Sequence, residues 1–132
     1  MVFILDDDPG RIGAFQRVLD GQTYHIERTV PEAVSYLESN QQTVSLYSLD
    51  NDLYVPDYPG DPGEGWQLCE WILSNCLPKP LICHSSNPNA AVRMELACQA
   101  AGWEYVRMVP CLGHSWIEAS WIHRIKSLLR HD

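Results

Sequence analysis

Hydrophobic and polar positions come in blocks along this chain, and the blocks switch between strand and helix spacing. Val2-Phe3-Ile4-Leu5 is an apolar run that stops on Asp6-Asp7-Asp8. Behind it Ile12, Phe15, Val18 and Leu19 recur at helical spacing, with Asp8 as cap, Pro9 in the first turn and Gly21 as terminator. Thr23 to Glu27 alternates weakly and predicts a short strand. Pro31 opens a second helix whose buried face is Ala33, Val34 and Leu37. Thr43 to Leu49 predicts the third strand, ending on Asp50-Asn51-Asp52. A third helix begins near Gly65 and carries Trp66, Leu68, Trp71, Ile72 and Leu73. Leu81 to Cys83 is apolar on both faces, as a central strand requires, and runs into His84-Ser85-Ser86-Asn87. Asn87-Pro88 starts a fourth helix that reaches Gly102, and Trp103 to Val109 predicts the fifth strand. Ser115 and Glu118 have capping-box spacing before a last helix bearing Trp121, Ile122, Ile125, Leu128 and Leu129.

Strand and helix therefore alternate five times. Right-handed crossovers on a parallel sheet give an α/β three-layer sandwich, with strand order 2-1-3-4-5 and a cleft where strands 1 and 3 diverge. No repeat or linker divides the chain, so residues 1–132 are expected to form a single domain. The segment from Asp50 to Gly65 holds three prolines and three glycines. No regular element survives that density of breakers, and so long a loop is expected to serve as a lid.

Charge narrows the choice of partner. Nine basic residues face seventeen acids, for a net charge of −8. Coating duplex nucleic acid needs many Lys and Arg, so an extended duplex is not an expected ligand. A small phosphorylated ligand or an RNA end remains compatible with a local positive spot. No apolar run is long enough to span a bilayer, and acids follow the first apolar stretch at once, so neither a membrane span nor a signal peptide is expected. Five cysteines without a C-x-x-C pair read as reduced thiols of a cytoplasmic protein.

The candidate chemistry lies at the strand ends. Asp6 and Asp7 close strand 1 and Asp50 closes strand 3, its neighbour in the expected sheet. Two carboxylates about 4 Å apart repel by roughly 4 kcal/mol at an effective dielectric near 20. Such a trio either binds protons or holds a cation. All-oxygen ligation suits Mg2+ or Mn2+. Asp52 is either a fourth ligand or a plain loop acid, and Asp8 is either a member of the cluster or only a helix cap. Arg11, in the first turn of helix 1, either clamps a phosphate or pairs with the acids beside it. Ser85 can donate to a phosphoryl oxygen, His84 can act as general acid or base, and Asn87 either binds phosphate or caps its helix. His114 could also face this edge, whereas His25, His123 and His131 read as surface residues.

These residues resemble those of bacterial response-regulator receiver domains, which have a flavodoxin-like fold. Asp6-Asp7, Asp50 and Ser85 stand where that family places its acidic pair, its phosphoacceptor and its strand 4 hydroxyl. The receiver lysine is absent, because Val109 precedes Pro110. The sequence is more similar to a divergent branch, the predicted cyclic-phosphate-processing receivers. The stretches that carry this likeness are Leu5-Asp6-Asp7 with a nearby Arg, Ser48-Leu49-Asp50-Asn51-Asp52-Leu53, and His84-Ser85 with Asn87-Pro88 and Met94.

The resemblance implies two readings. In one, the chain is a metal-dependent phosphate-handling domain that hydrolyses or binds the cyclic phosphate of a 2′,3′-cyclic nucleotide or RNA end, as a phosphodiesterase in the first case. Asp6, Asp7 and Asp50, with Asp52 as the possible fourth ligand, hold Mg2+ or Mn2+; Arg11, Ser85 and Asn87 hold phosphate; Asp50, His84 and Ser85 form the catalytic set. In the other, Asp50 accepts a phosphoryl group from a partner kinase, or the domain only binds an effector protein. A haloacid-dehalogenase-type phosphatase built on Asp6-x-Asp8 fits less well, because Gly10 stands where that motif wants a hydroxyl or branched residue.

Overall fold

The computed structural model describes residues 1–111 and 113–130. His131, expected at the surface, lies outside the described residues. Five short strands, β1 (Val2–Leu5), β2 (Tyr24–Glu27), β3 (Leu46–Leu49), β4 (Leu81–Cys83) and β5 (Tyr105–Arg107), form one sheet in the order β2-β1-β3-β4-β5. Every pairing is parallel. The helices are α1 (Pro9–Val18), α2 (Val30–Asn40), α3 (Gly65–Asn75), α4 (Pro88–Ala101) and α5 (Ile122–Leu129). The result is the flavodoxin-like sandwich that the alternation of elements predicts.

Strand parity divides the core in two. Phe3, Leu5, Tyr47, Leu49, Leu81 and Cys83 pack against α2, α3 and α4. Val2, Ile4, Leu46 and Ile82 pack against α1 and the last helix, where Phe15, Trp116, Trp121 and Ile125 meet them. Leu5, Leu49 and Cys83 lie in register. Asp6, Asp50 and His84 are therefore the next rung, and the ladder continues through them. Asp6 N–H donates to Glu27, Asp50 N–H to Leu5 and His84 N–H to Leu49. Side chains alternate across a sheet, so these three fall on the α1 face.

Three elements differ from expectation. The third strand begins at Leu46 and not at Thr43, because Gln41–Thr43 form a 3-10 turn and Val44 N–H is spent on the Gln41 carbonyl. The fifth strand begins at Tyr105 because Trp103 N–H is spent on Cys98 of α4, in a helix ending with Gly102 at φ 76°. The Ser115–Glu118 capping box is not the start of the last helix. Ser115 is already helical, and the chain passes through a π-helical turn at Ile117–Trp121. The buried pairs Trp116/Ile117 and Trp121/Ile122 are five positions apart. A turn closed by i→i+5 bonds places both pairs on the sheet, where an α-turn would rotate one away.

The loop from Asp50 to Gly65 is pinned at its base. Asp52 and Glu64 form an antiparallel bridge, and Gly65 N–H donates to the Asn51 carbonyl. Val30 N–H reaches Pro62, and Arg28 pairs with Asp57. Gly65 is required there, since a Cβ would lie 1.8 Å from the Asp50 carbonyl oxygen.

Candidate metal and phosphate site

Asp6, Asp7 and Asp50 converge. Each offers a carboxylate oxygen, and these oxygens lie within 4.8 Å of one another. Trans ligands on an ion with bonds of about 2.1 Å are about 4.2 Å apart, so the trio is close to shared coordination reach. The donors are all carboxylate oxygens, a set suited to a hard divalent cation.

Asp6 is fully buried and the most heavily bonded of the three. Its Oδ1 accepts from Asp8 N–H at 2.9 Å and from Arg11 Nη2 at 3.0 Å; its Oδ2 meets Arg11 Nε and His84 Nε2, both at 2.9 Å. Burial alone would raise its pKa, but the hydrogen bonds and charges of His84 and Arg11 outweigh it and hold the carboxyl below its usual range. Asp50 differs. Its Oδ1 accepts from Asn51 N–H and its Oδ2 from Arg11 Nη2 at 3.1 Å, yet burial, with the nearby Asp6 charge, pushes it up to about 6. Burial and the Asp6 charge likewise raise Asp7, although Asp7 Oδ2 accepts from Tyr54 N–H at 2.8 Å. One guanidinium thus bridges two of the acids and cannot fully compensate all three.

Of the two readings of Arg11, the structure shows the pairing with the acids. The guanidinium pairs with Asp6 and Asp50, and its Nη1 makes no hydrogen bond among the described residues. That donor stays available to an anion. Asp8 is the helix cap, accepting from Arg11 N–H at 2.8 Å.

The other expected ligands are placed differently. Asp52 is exposed and lies outside the trio; its carboxylate accepts from the side-chain amides of Asn51 at 3.1 Å and Asn87 at 3.2 Å. Asn87 uses its oxygen to cap Ala90 N–H and turns its Nδ2 to the Asp52 carboxylate. Ser85 is buried, and its Oγ accepts from Asn87 N–H, which leaves its own O–H to donate. His84, expected to meet substrate directly, is 0% exposed, with both ring nitrogens engaged and Phe15 and Trp116 packed against the ring. Its place is therefore behind the acids, where it orients Asp6. His25 is likewise no free surface residue, being stacked on Tyr36 at 3.5 Å and bonded to Glu27.

A buried relay went unseen in the sequence. Trp121 Nε1 donates to Ser48 Oγ at 2.9 Å, Ser48 Oγ meets His84 Nδ1 at 2.7 Å, and His84 Nε2 meets Asp6. With Nε2 carrying the proton, every member donates toward Asp6 in one direction. The available signal was Ser48 itself, a hydroxyl on the core face of a central strand, which must find a partner. Ser48→Ala strands two buried polar groups, Trp121 Nε1 and His84 Nδ1. It is expected to cost about 2–4 kcal/mol, read as a lower urea midpoint at unchanged m.

The fold and the acid trio define a receiver-like domain. The fold is similar to the signal receiver domain of an HD domain-containing protein from Pseudomonas fluorescens Pf-5, at TM-score 0.72 and 17% identity, covering 98% of this chain and 94% of that one. It is also similar to a two-component response regulator from Clostridium difficile, at TM-score 0.66 and 20% identity, covering 98% and 94%. The non-phosphorylated HemR receiver domain from Leptospira biflexa is similar at TM-score 0.67 and 23% identity, covering 97% and 92%. A comparison with curated proteins found no match. Residues 1–100 match the family described as the cyclic-phosphate processing receiver domain, and the chain belongs to that family.

Proposed function

We propose that this chain hydrolyses the cyclic phosphate of a 2′,3′-cyclic nucleotide or RNA end with the help of Mg2+ or Mn2+. The observation that carries the reading is the convergence of Asp6, Asp7 and Asp50 at the sheet edge, in a chain of a cyclic-phosphate family. Those three carboxylates would hold the ion. A divalent cation supplies charge stabilisation at a phosphoryl oxygen and a more acidic water. Arg11 contributes a fixed guanidinium whose Nη1 binds a second phosphoryl oxygen, while Nε and Nη2 keep it anchored on Asp6 and Asp50. The Ser85 hydroxyl, whose Oγ accepts from Asn87 N–H and whose own O–H is left to donate, is the strand 4 group directed to the phosphate. His84, Ser48 and Trp121 hold Asp6 ionised and in one orientation. Tyr54 N–H, on Asp7, ties the Asp50–Gly65 loop to the ligand trio.

The test is incubation with 2′,3′-cyclic AMP, with Mg2+ or Mn2+ and without either. Metal-dependent release of a phosphomonoester is expected, falling about 100-fold or more in Arg11→Ala. Absence of turnover with every metal overturns the reading. The receiver reading rests on Asp50 following β3, and a gain of one phosphoryl group from acetyl phosphate, lost in Asp50→Asn, would favour it.

A further inference from the structure

The burial of His84 leaves the acid trio without an exposed imidazole of its own, and a second histidine lies near the turn that carries Arg11. His114 is exposed, in the segment between β5 and the last helix, beyond the residues matched by the family. Its ring lies against the first turn of α1. A Cβ built on Gly10 would come within 2.3 Å of His114 Nε2 and 2.8 Å of Cε1. The same point is 3.2 Å from Asp8 Oδ2. Gly10 adjoins Arg11, whose guanidinium spans Asp6 and Asp50. The missing side chain at position 10 thus lets an imidazole settle beside the guanidinium's own turn. The His114 backbone is fixed as well, since its carbonyl accepts from Ile117 N–H as the π-helical turn begins.

We propose that His114 is the proton carrier of the ring-opening step, which deepens the hydrolase reading and rests on it. A water oxygen forms a bond to phosphorus while the bond from phosphorus to one ribose oxygen breaks. The imidazolium of His114 gives its proton to that leaving oxygen, and the proton released by the attacking water returns to the imidazole. The ledger closes with one water consumed and one phosphomonoester formed. Glycine at position 10 is then a specificity element of this chain, since any side chain there displaces the ring.

The experiment measures Mn2+-supported hydrolysis of 2′,3′-cyclic AMP by wild type, His114→Ala and Gly10→Ala, with urea midpoints alongside. His114→Ala is expected to lower kcat by about 10²- to 10⁴-fold with little change in KM. Gly10→Ala is expected to lower it in the same direction while the fold persists, because alanine suits a helix's first turn. Added imidazole should restore part of the His114→Ala rate, since the position is open to solvent, and none of the rate lost in His84→Ala, whose place is sealed. An active wild type with undiminished turnover in His114→Ala overturns this inference alone. An inert wild type overturns the hydrolase reading and this one with it.

Discussion

Asp50→Asn is expected to make the ion-free protein more stable at about pH 7.5, even as it removes its response to Mn2+. The Asp50 carboxyl is raised from 3.8 to about 6 in the fold. A raised folded-state pKa favours the folded protein below the unfolded value, and that advantage is lost as pH climbs through about 6. The full difference is worth about 3 kcal/mol. Asparagine has a single carbonyl oxygen for the two donors, Asn51 N–H and Arg11 Nη2, so about 1 kcal/mol is returned. A net gain of roughly 1–2 kcal/mol remains, read as a higher urea midpoint. Asp6 has the opposite sign: its lowered carboxyl stabilises the fold above its unfolded value and loses that effect in acid. Mn2+ should raise the melting temperature of wild type and leave that of Asp50→Asn unmoved. A variant less stable than wild type at neutral pH would show that Arg11 already compensates the carboxylate.

Gly65→Ala carries the largest expected loss. Inside a helix that exchange normally gains up to about 1 kcal/mol. Here the added methyl would stand 1.8 Å from the Asp50 carbonyl oxygen and 2.9 Å from Asn51 Cα, both backbone atoms. The base of the loop must open, so a cost of about 3 kcal/mol or more is expected, with a weaker response to Mn2+ because Asp50 is displaced. Gly13→Ala is the control. Its nearest neighbour would be the flexible end of Arg17 at 3.5 Å, and its urea midpoint should stay level or rise. Equal effects at the two positions would remove Gly65 from its role in seating Asp50.

What could be read from the sequence follows the range of the forces involved. The strand ends at Asp6, Asp50 and His84, the proline-led helices and the sheet order are written in local spacing, and the structure reproduces them. The convergence of Asp6, Asp7 and Asp50 followed from that order because parallel neighbours bring their carboxyl ends together. The relay from Trp121 to Asp6 was not legible. Trp121 and Ser48 are 73 positions apart, and their contact depends on a π-helical turn that no propensity signals. The expected reach of His84 into the cleft failed for a related reason. Its strand position was right, but the aromatic rings of Phe15 and Trp116 that seal it come from two other elements. Asp52 and Asn87, expected at a metal and a phosphate, are hydrogen-bonded to one another, a contact between two loops that local spacing does not signal.

Of the five thiols, Cys69, Cys83 and Cys98 are buried in the core, Cys76 is half-covered with burial pushing its thiol up, and Cys111 alone is exposed. A maleimide dye would therefore couple at Cys111, a short arm's length from His114 along the chain. Emission or anisotropy of that dye would then report Mn2+ or nucleotide binding near His114 on the unmodified wild-type sequence.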